Sequence, residues 1–268
     1  MVKFITNKVS KGGVGKTTIC LNIADILSKK NYKVLMIDLD AQSNLSKNFT
    51  KQLSNQNKLT SSNLLGDNSF NIKENVYNIN ENLDLIISDI GLSEVSRYLE
   101  QQENYYIKLL NLKNQKLFNK YDFVLLDLSP GVCDTITEIS LCVTDLLICP
   151  THFDIDSLLG IILTIEDVSR LSQANLIKKN LNYLVVPNRY DKRYKSDNQK
   201  IFDILYENID SQFITNPIRE NSHIKKARMI GKTAIDYELD EKRKYEHKKA
   251  IEDFETLYKK IIEVIKNE

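Results

Sequence analysis

The chain has 268 residues, 42% of them hydrophobic, and its 37 Lys and Arg nearly balance its 36 Asp and Glu. This length allows one sizeable core, and a net charge of +1 excludes a general attraction to nucleic acid, so any such binding needs a local basic patch. No apolar run reaches the roughly 18 residues that a membrane span needs, and the four cysteines form no C-x-x-C pair. We therefore expect a cytoplasmic protein with buried, reduced thiols.

Short apolar runs alternate with longer segments of helical period, and the runs are mostly apolar on both faces, which is typical of buried parallel strands. The runs cover residues 4–5, 34–37, 83–87, 123–126, 146–148 and 184–186. Helices are predicted over about 16–30, 92–117, 134–143, 155–175, 196–209, 219–230 and 240–266. The alternation predicts one α/β domain, 1–268, with an open, mostly parallel twisted sheet and helices on both faces. Residues 47–82 carry weak signals, and we predict a surface excursion there with a short helix near 59–65.

Residues 10–18 read SKGGVGKTT and nearly match the phosphate-binding pattern G-x-x-x-x-G-K-[ST]. An apolar segment precedes this loop and a helical pattern follows it, which is the setting that such a loop needs. Glycines let backbone N–H groups converge on phosphate oxygens, and the helix N-terminus adds positive potential. We expect Lys16 to reach the β- and γ-phosphates, Thr17 to bind Mg²⁺ and Thr18 to bond the α-phosphate. Backbone contacts to the nucleotide are predicted from Gly12, Gly13, Val14 and Gly15.

Residues 11–18, KGGVGKTT, resemble the deviant phosphate loop of the ParA/MinD family of ATPases, and the likeness is nearest to small partition ATPases. The resemblance implies a P-loop fold that binds ATP or ADP with Mg²⁺. In that family, an early lysine crosses the interface of an ATP-bound sandwich dimer and touches the partner's phosphates. The resemblance thus implies that Lys11 acts in trans and that the chain forms a homodimer when it binds ATP. Because the first strand begins at Val2, we expect no helix-turn-helix domain before the ATPase.

Three carboxylates follow apolar runs. Asp38 and Asp40 end the run KVLMIDLD and share a face of the strand, at the end where α/β sheets bind ligands. The family pattern D-x-D-P/A-Q-x-N implies that Asp40 positions the attacking water and that Asp38 supports the metal shell. Asp127 ends the run YDFVLLD, which is typical of a strand whose carboxylate holds a Mg²⁺-bound water. Ser129 stands where the family usually has a proline, so the γ-phosphate sensing of this segment departs from the family pattern.

The iron protein of nitrogenase is a rival interpretation, because it shares this fold and loop. It bridges two subunits with an iron–sulfur cluster held by two cysteines per chain, and Cys133 lies near one of those places. The second cysteine should lie some tens of residues upstream, but none occurs between Cys20 and Cys133. Since a cluster needs its thiolate ligands in number, we expect no cluster here.

Two segments in the second half of the chain resemble parts of the family that meet the nucleobase. Residues 184–191 read LVVPNRYD, and the amide of Asn188 can both donate to and accept from an adenine edge. A second segment, residues 216–238, resembles the family's I-P-R stretch with its later G-K-P-I. By that likeness Pro217 and Ile218 would pack on the base.

Basic residues cluster in the same two segments. In related partition ATPases, such residues line a DNA-binding face that forms on dimerisation, whereas a merely solvated charged surface is the alternative. Binding of this kind would be sequence-neutral and strongly salt-dependent. The residues predicted for this role are Arg189, Lys192, Arg193, Arg219, Lys225, Lys226 and Arg228.

The C-terminal segment, about 240–266, has an apolar stripe of helical period. MinD grips membranes with such a helix, whose polar face is basic. In this chain the segment also carries acidic side chains that should repel an anionic leaflet, so we expect the helix to pack on the sheet instead. The acidic residues are Glu252, Asp253, Glu255 and Glu263.

The sequence as a whole predicts a ParA-type ATPase that segregates DNA and associates with the nucleoid. ATP would drive dimerisation and non-specific binding of double-stranded DNA, and a ParB-like, centromere-bound partner would stimulate slow hydrolysis and release. Two alternatives stay open at this point. One is a MinD-like membrane-associated positioning ATPase, and the other is a nucleotide-sensing DNA scaffold that barely hydrolyses ATP.

Overall fold

The computed structural model describes residues 1–53, 58–66, 71–237 and 244–267. Its strands are β1 (Lys3–Asn7), β2 (Val34–Leu39), β3 (Tyr77–Asn80), β4 (Leu83–Ile86), β5 (Phe123–Leu128), β6 (Leu146–Thr151), β7 (Asn182–Tyr190) and β8 (Ile218–Arg219). These described strands form one sheet in the order β3-β4-β2-β5-β1-β6-β7-β8, and β3 runs antiparallel to β4 while the other neighbours are parallel. The predicted α/β class and mostly parallel sheet are confirmed.

Helices flank this sheet on both faces, and several short 3₁₀ segments join them. The 3₁₀ segments are Ser46–Phe49, Tyr105–Ile107, Lys192–Tyr194 and Ser211–Phe213. The helices are α1 (Lys16–Lys29), α2 (Thr50–Leu53), α3 (Ser61–Gly66), α4 (Ile72–Asn75), α5 (Leu92–Glu100), α6 (Lys108–Asn114), α7 (Thr135–Val143), α8 (Ile155–Gln173), α9 (Lys195–Asn208), α10 (Ser222–Met229) and α11 (Lys244–Lys266).

The central strands are buried on both faces, because successive side chains of a strand point to opposite sides. Ile5 and Met36 belong to a core that also contains residues of α1 and α11. Phe4 and Leu35, their neighbours along the chain, belong to a second core that contains residues of α3, α5, α6 and α7. This double burial explains why the strands read as continuous apolar runs.

The structure departs from the predicted elements at several points. The helix predicted over 219–230 begins at Ser222, after β8, and of the helix predicted over 240–266, residues 240–243 lie outside the described residues. The helix predicted over 92–117 is split, because the polar stretch after α5 ends at Asn104, whose φ of 57° is left-handed and interrupts a helix. Two strands, β3 and β8, were not predicted. Strand β3 is a polar edge strand with alternating exposure, and β8 has two residues, so neither presents an apolar run.

The C-terminal helix α11 packs into the core rather than standing apart. Phe254 and Ile261 are 1% and 0% exposed and lie in the same core cluster as Ile19 and Ile23 of α1. The apolar stripe of α11 is therefore covered by the domain itself. Among the described residues, no helix is both long enough and apolar enough to cross a lipid bilayer.

Carboxylates at the amino ends of the strands have several partners each. Asp145, which immediately precedes β6, accepts hydrogen bonds from the Phe4 N–H at 2.7 Å and from Lys178 Nζ at 2.6 Å. Burial alone would raise the pKa of Asp145, but these bonds hold it below its usual value. Asp84 of β4 accepts a hydrogen bond from the Tyr121 hydroxyl at 2.7 Å. This end of the sheet is electrostatically satisfied.

Candidate nucleotide-binding site

Three polar side chains lie at one level where β1, β5 and β2 end side by side. The strand register pairs Asn7 with Asp127, and Asp127 with Asp38. All three residues are buried, with exposed fractions of 0%, 1% and 0%. Polar and charged residues are rarely fully buried unless they are paired or bind a ligand. The carboxyl edge of a parallel sheet is where α/β proteins bind ligands.

Asp127 has a buried carboxylate with unmet hydrogen-bonding capacity. Neither of its oxygens has a hydrogen-bond partner among the described residues. Burial, and then the nearby Asp38 carboxylate, raise the pKa of Asp127 to about 8, although the Thr17 hydroxyl and the Lys16 ammonium lie near enough to oppose the rise. No group of three or more His, Cys, Asp or Glu in the described ranges could hold a metal ion by itself. A Mg²⁺ ion fits Asp127 if phosphate and water supply its other ligands, which is the usual way Mg²⁺ is bound.

Asp38 and Asp40, in contrast, are already partnered. Asp38 accepts hydrogen bonds from the Asp40 N–H at 3.1 Å and from the N–H and hydroxyl of Ser46 at 2.8 and 2.6 Å. Burial raises the pKa of Asp38 to about 6, although the Ser46 bonds oppose the rise. Asp40 accepts bonds from the Gln42 N–H at 2.9 Å and the Asn44 amide at 3.0 Å. Both carboxylates shape the loop after β2, and their roles toward metal and water stay predictions.

The loop between β1 and α1 leaves the N-terminus of α1 open to a ligand. Gly15 precedes the helix with a φ of 103°, no side chain caps the helix, and its first turn holds no acidic residue. Gly13 has a φ of 79°, a left-handed conformation that favours glycine. A Cβ on Gly15 would lie 2.2 Å from the amide nitrogen of Asn188, so no side chain fits there. The uncapped N–H groups and this glycine cradle fit a bound phosphate.

Lys16 is buried, 7% exposed, at the start of α1. Its Nζ donates to the carbonyl oxygens of Lys11 at 3.2 Å and Val9 at 3.4 Å. Burial lowers the pKa of Lys16 to about 8, although the Asp127 carboxylate opposes the shift. Since the ammonium has only neutral acceptors within hydrogen-bonding distance in the described chain, a phosphate in this loop would supply the negative charge that it lacks.

Lys11 lies outside this buried group, on the face that α8 shares with the loop. Its Nζ lies 3.0 Å from the carboxylate of Asp156, and the two side chains are 38% and 75% exposed. A Cβ on Gly160 would come within 3.0 Å of the Lys11 Cβ, so the glycine lets α8 approach the loop closely. An exposed ion pair of this kind is weak, which leaves Lys11 able to change partners. Its action on a second molecule stays a prediction.

A buried lysine fastens the segment after β5 to the phosphate loop. Lys8 Nζ donates to the carbonyl oxygens of Ser129 at 3.1 Å and Val132 at 3.4 Å. The N–H of Gly131 donates to the carbonyl oxygen of Ser10 at 2.8 Å. Burial lowers the pKa of Lys8. The segment that follows Asp127 is thus held at three points, in spite of the serine that replaces the family's proline.

A cleft of about 540 Å³ opens beside Gly15 and Thr18. Asn188 lines this cleft, donates from its amide to the Val14 carbonyl at 2.8 Å, and accepts a bond from the Arg189 N–H at 2.9 Å. The amide therefore supports the phosphate loop, and its contact with adenine stays a prediction.

Two predicted base contacts are not found in the cleft. Ile218 is 0% exposed and lies in the core cluster that includes Phe254. Pro217 does not line the cleft either. Ile218 therefore packs in the core beside β7, and contact of Pro217 or Ile218 with a base stays a prediction.

Arg228 is also placed differently from the prediction. The sequence grouped it with an exposed basic face, but it lines the cleft and is partly buried. Its Nη1 donates to the Thr18 hydroxyl at 2.9 Å and its Nε to the Asn48 side-chain oxygen at 3.3 Å. Residues on one side of α10 face the N-terminus of α1, and Arg228 is one of them.

The remaining predicted basic residues fall into two classes. Lys192, Lys225 and Lys226 are exposed and enter no ion pair within the described ranges. The three arginines are paired with carboxylates: Arg189 with Glu220 at 3.8 Å, Arg193 with Asp191 at 2.6 Å, and Arg219 with Asp253 at 2.7 Å.

Sequence reasoning missed Asn7, Lys8 and the position of Arg228. Asn7 is fully buried beside Asp127, and both polar atoms of its side chain lack partners in the described chain. The signal for Asn7 and Lys8 was available, because two polar residues interrupt the first apolar strand just before the phosphate loop. The position of Arg228 had no sequence signal, since it depends on how α10 packs against α1.

The cysteines are unpaired; Cys133 is half-buried, and Cys20, Cys142 and Cys149 are buried.

Comparison with known proteins gives this geometry a context. A family model described as "AAA domain" matches residues 2–183. The chain is 32% identical to an uncharacterized protein of Methanocaldococcus jannaschii, over 86% of this chain and 89% of that protein. It is 25% identical to a ParA family protein of Mycoplasma pneumoniae, over 89% of this chain and 87% of that protein. Among solved structures, a putative plasmid partition protein of Borrelia burgdorferi bound to AMPPNP superposes with a TM-score of 0.76 at 25% identity, covering 95% of this chain and 98% of that one.

Proposed function

The chain belongs to the AAA domain family and is of the ParA/MinD type, and we propose that it is an ATP-dependent partition ATPase that segregates DNA. One observation carries the proposal: beside the open N-terminus of α1, and among the residues that the structure describes, the buried Asp127 carboxylate accepts no hydrogen bond and the buried Lys16 ammonium donates only to carbonyl oxygens. A nucleoside triphosphate with Mg²⁺ would supply both missing partners. The B. burgdorferi protein was solved with an ATP analogue, which supports an adenine nucleotide as the ligand.

The residues of the site divide the chemistry between them. Bound Mg²⁺ would neutralise charge on the phosphates, with Asp127 and the Thr17 hydroxyl as the protein groups that hold it and Asp38 as support. Lys16 would bind the phosphate that is transferred, and the backbone N–H groups of the loop would bind its neighbours. Asp40 would orient the attacking water, for which its place beyond the end of β2 is suitable.

Lys11 supports the proposal that two chains act together. Its ammonium lies on the exposed face next to α8, and its present partner Asp156 is largely solvated. On that face α8 also exposes an apolar stripe at helical spacing, with Ile155 65%, Leu159 53% and Leu163 52% exposed. A second copy that covered this stripe would receive Lys11 close to its own phosphate loop.

The exposed lysines of the DNA-binding prediction support the second half of the proposal. Lys192, Lys225 and Lys226 lack carboxylate partners among the described residues, and Lys225 also lines the nucleotide cleft. A symmetric dimer would double this modest patch without a large change of net charge per chain. Binding of DNA phosphates by these lysines would be independent of sequence, and a ParB-like partner would then stimulate hydrolysis and release.

The membrane-associated alternative has no observation in its favour. A helix that grips a lipid surface must expose its apolar face, whereas Phe254, Leu257 and Ile261 of α11 are at most 2% exposed. The weakly hydrolysing scaffold differs from our proposal in rate alone, and a measurement of ATP turnover separates them.

Co-sedimentation with plasmid DNA and with anionic liposomes, each with ATP, with ADP and without nucleotide, tests the proposal. We expect retention on DNA with ATP and Mg²⁺ only, and a steep loss as salt is raised. The Lys16→Ala variant should lose about 100-fold or more in ATP affinity, since it removes a charge that pairs with phosphate, and should not be retained. Arg97→Gln removes an exposed charge on α5 and should behave as the parent chain. Retention on liposomes but not on DNA would contradict the proposal, and unchanged ATP affinity of Lys16→Ala would contradict the nucleotide site itself.

A further inference from the structure

Arg228 differs from the other arginines around the nucleotide cleft. Arg189 and Arg219 each have a carboxylate partner, at 3.8 and 2.7 Å. Arg228 enters no ion pair in the described part of the chain, and its hydrogen bonds go to two neutral oxygens, those of Thr18 at 2.9 Å and Asn48 at 3.3 Å. It is thus a partly buried cation that no carboxylate of the described residues pairs with.

This arrangement is unfavourable unless an anion completes it. A charge that is drawn away from water loses hydration, and neutral acceptors compensate for only part of that loss. The pKa of Arg228 is lowered accordingly by burial. Two of the five N–H donors of the guanidinium are used, and the remaining donors form a fork that matches phosphate oxygens.

The location of Arg228 identifies which anion it would meet. Its guanidinium is bonded to the hydroxyl of Thr18, in the first turn of α1, whose N-terminus is uncapped. Both residues line the same 540 Å³ cleft. Lys16, two residues earlier, donates instead to the carbonyl oxygens of Val9 and Lys11 in the loop. Arg228 of α10 and Lys16 of the loop would therefore bind different phosphates of a nucleotide.

We propose that Arg228 is a nucleotide-binding residue that, together with Thr18, holds the phosphate next to the ribose, the one that ATP and ADP share. The inference rests on the proposed nucleotide site and adds a residue that the phosphate-loop pattern does not contain. Since both nucleotides carry this phosphate, Arg228 increases the affinity for each by the same factor. It would retain the nucleotide without distinguishing ATP from ADP.

The backbone after α10 fixes Arg228 in this position. Gly231 has a φ of 70°, and a Cβ there would lie 2.4 Å from the carbonyl oxygen of Asn48. The turn that ends α10 is therefore packed directly against the residue whose side chain bonds Arg228. A cation anchored in this way can bind a ligand without first being ordered, which reduces the entropy lost on binding.

Nucleotide affinities of Arg228→Gln, measured by calorimetry for ATP and ADP and by competition for adenosine, test the proposal. We expect ATP and ADP to bind about 10-fold or more weakly, by the same factor, because a charge-assisted bond to phosphate is lost, and adenosine to bind as before. Arg228→Lys keeps the positive charge but loses the forked guanidinium, so its affinities for ATP and ADP should lie between those of the parent and of Arg228→Gln. The matched control Arg97→Gln, the same substitution at an exposed position, should change none of the three affinities.

Melting of the nucleotide-free chain separates this role from a structural one. Removal of a cation without a negative partner should leave the melting temperature of Arg228→Gln unchanged or higher, whereas a structural arginine would lower it. A lower melting temperature with unchanged ATP and ADP affinities overturns the proposal, and so does a loss confined to ATP. If Lys16→Ala binds nucleotide normally, the nucleotide site fails as well; if Lys16→Ala loses binding and Arg228→Gln does not, only the role of Arg228 fails.

Discussion

Each end of the sheet holds a buried carboxylate, and the two differ in their hydrogen-bond partners and in the direction of their pKa shift. At the amino end, Asp145 is 4% exposed and accepts hydrogen bonds from the Phe4 N–H and from Lys178, and its pKa lies below its usual value. At the carboxyl end, Asp127 is 1% exposed and has no hydrogen-bond partner among the described residues, and burial raises its pKa to about 8. The residue type is the same and both side chains are buried, but Asp145 has hydrogen-bond donors around it, whereas Asp127 lies deeper and beside a second carboxylate, Asp38.

The comparison separates stability from function within one sheet. A carboxylate that is satisfied inside the chain stabilises the fold and has nothing left to offer a ligand. One that is buried without partners destabilises the free chain, and a cation that binds it recovers the lost free energy as affinity. Asp145 belongs to the first kind and Asp127 to the second, so substitutions at the two positions should act in opposite directions.

The largest effect on stability is expected at the amino end. Asp145→Asn should lower the free energy of unfolding by about 1.5–3 kcal/mol, because the buried Phe4 N–H loses a charged acceptor and Lys178, whose side chain is 42% exposed, loses one carboxylate partner. The pKa of Asp145 is lowered in the folded chain, so its contribution is present above the unfolded pKa and is lost as pH falls through the folded pKa. Urea unfolding at neutral and acidic pH measures both effects.

A surface carboxylate provides the control for this prediction. Asp197→Asn removes one partner of an ion pair in which both side chains are 72% exposed, and should change stability by less than about 0.5 kcal/mol. If Asp145→Asn proves as stable as Asp197→Asn, or if its deficit grows in acid, the account of the amino end is wrong.

A smaller effect of opposite sign is expected at the carboxyl end. Asp127→Asn should leave the nucleotide-free chain as stable as the parent or more stable by about 1–2 kcal/mol, because the parent carboxyl, with its pKa raised to about 8 by burial, must either stay protonated or bury an unpartnered charge in the folded chain. The same variant should bind ADP equally with and without Mg²⁺, whereas the parent should bind it more tightly with Mg²⁺. Urea unfolding measures the stability of the variant, and calorimetry measures its affinity for ADP with and without Mg²⁺. If Asp127→Asn is less stable than the parent and still binds ADP more tightly with Mg²⁺, then the amino and carboxyl ends of the sheet do not differ in the way described.

The smallest effect on stability is expected at the exposed pair beside α8. Lys11→Ala should change the free energy of unfolding by less than about 0.5 kcal/mol, since the pair with Asp156 is solvated. It should nevertheless reduce ATP-dependent self-association in sedimentation, because it removes the cation offered to the second chain. Asp156→Asn keeps Lys11 and should still self-associate. Self-association of Lys11→Ala indistinguishable from that of the parent would place the dimer contact elsewhere.

Much of the fold followed from the sequence for a physical reason. Strands buried on both faces must be apolar on both faces, so β1, β2, β5 and β6 were visible as runs. Strand β3 lies at an edge and β8 has two residues, so neither needed such a run. The break at Asn104 depends on a single left-handed residue in a polar stretch, for which helical periodicity has no signal.

The site residues that lie close together in the sequence were predictable. Residues of one loop, such as Gly15 and Lys16, are positioned by their neighbours, and a motif therefore records them. Asp38 and Asp127 come from different strands but share the strand-end position, which the parallel topology brings together. The position of Arg228 was not predictable, because it is set by the packing of α10 against α1, some 200 residues earlier in the chain.

Lys8 also limits how the molecule can move. Between the two carbonyl groups that its ammonium holds, at Ser129 and Val132, lie only Pro130 and Gly131. Val132 itself is 81% exposed. Through Lys8, the segment that follows the buried end of β5 is therefore tied at one end to the phosphate loop and carries an exposed hydrophobic side chain at the other.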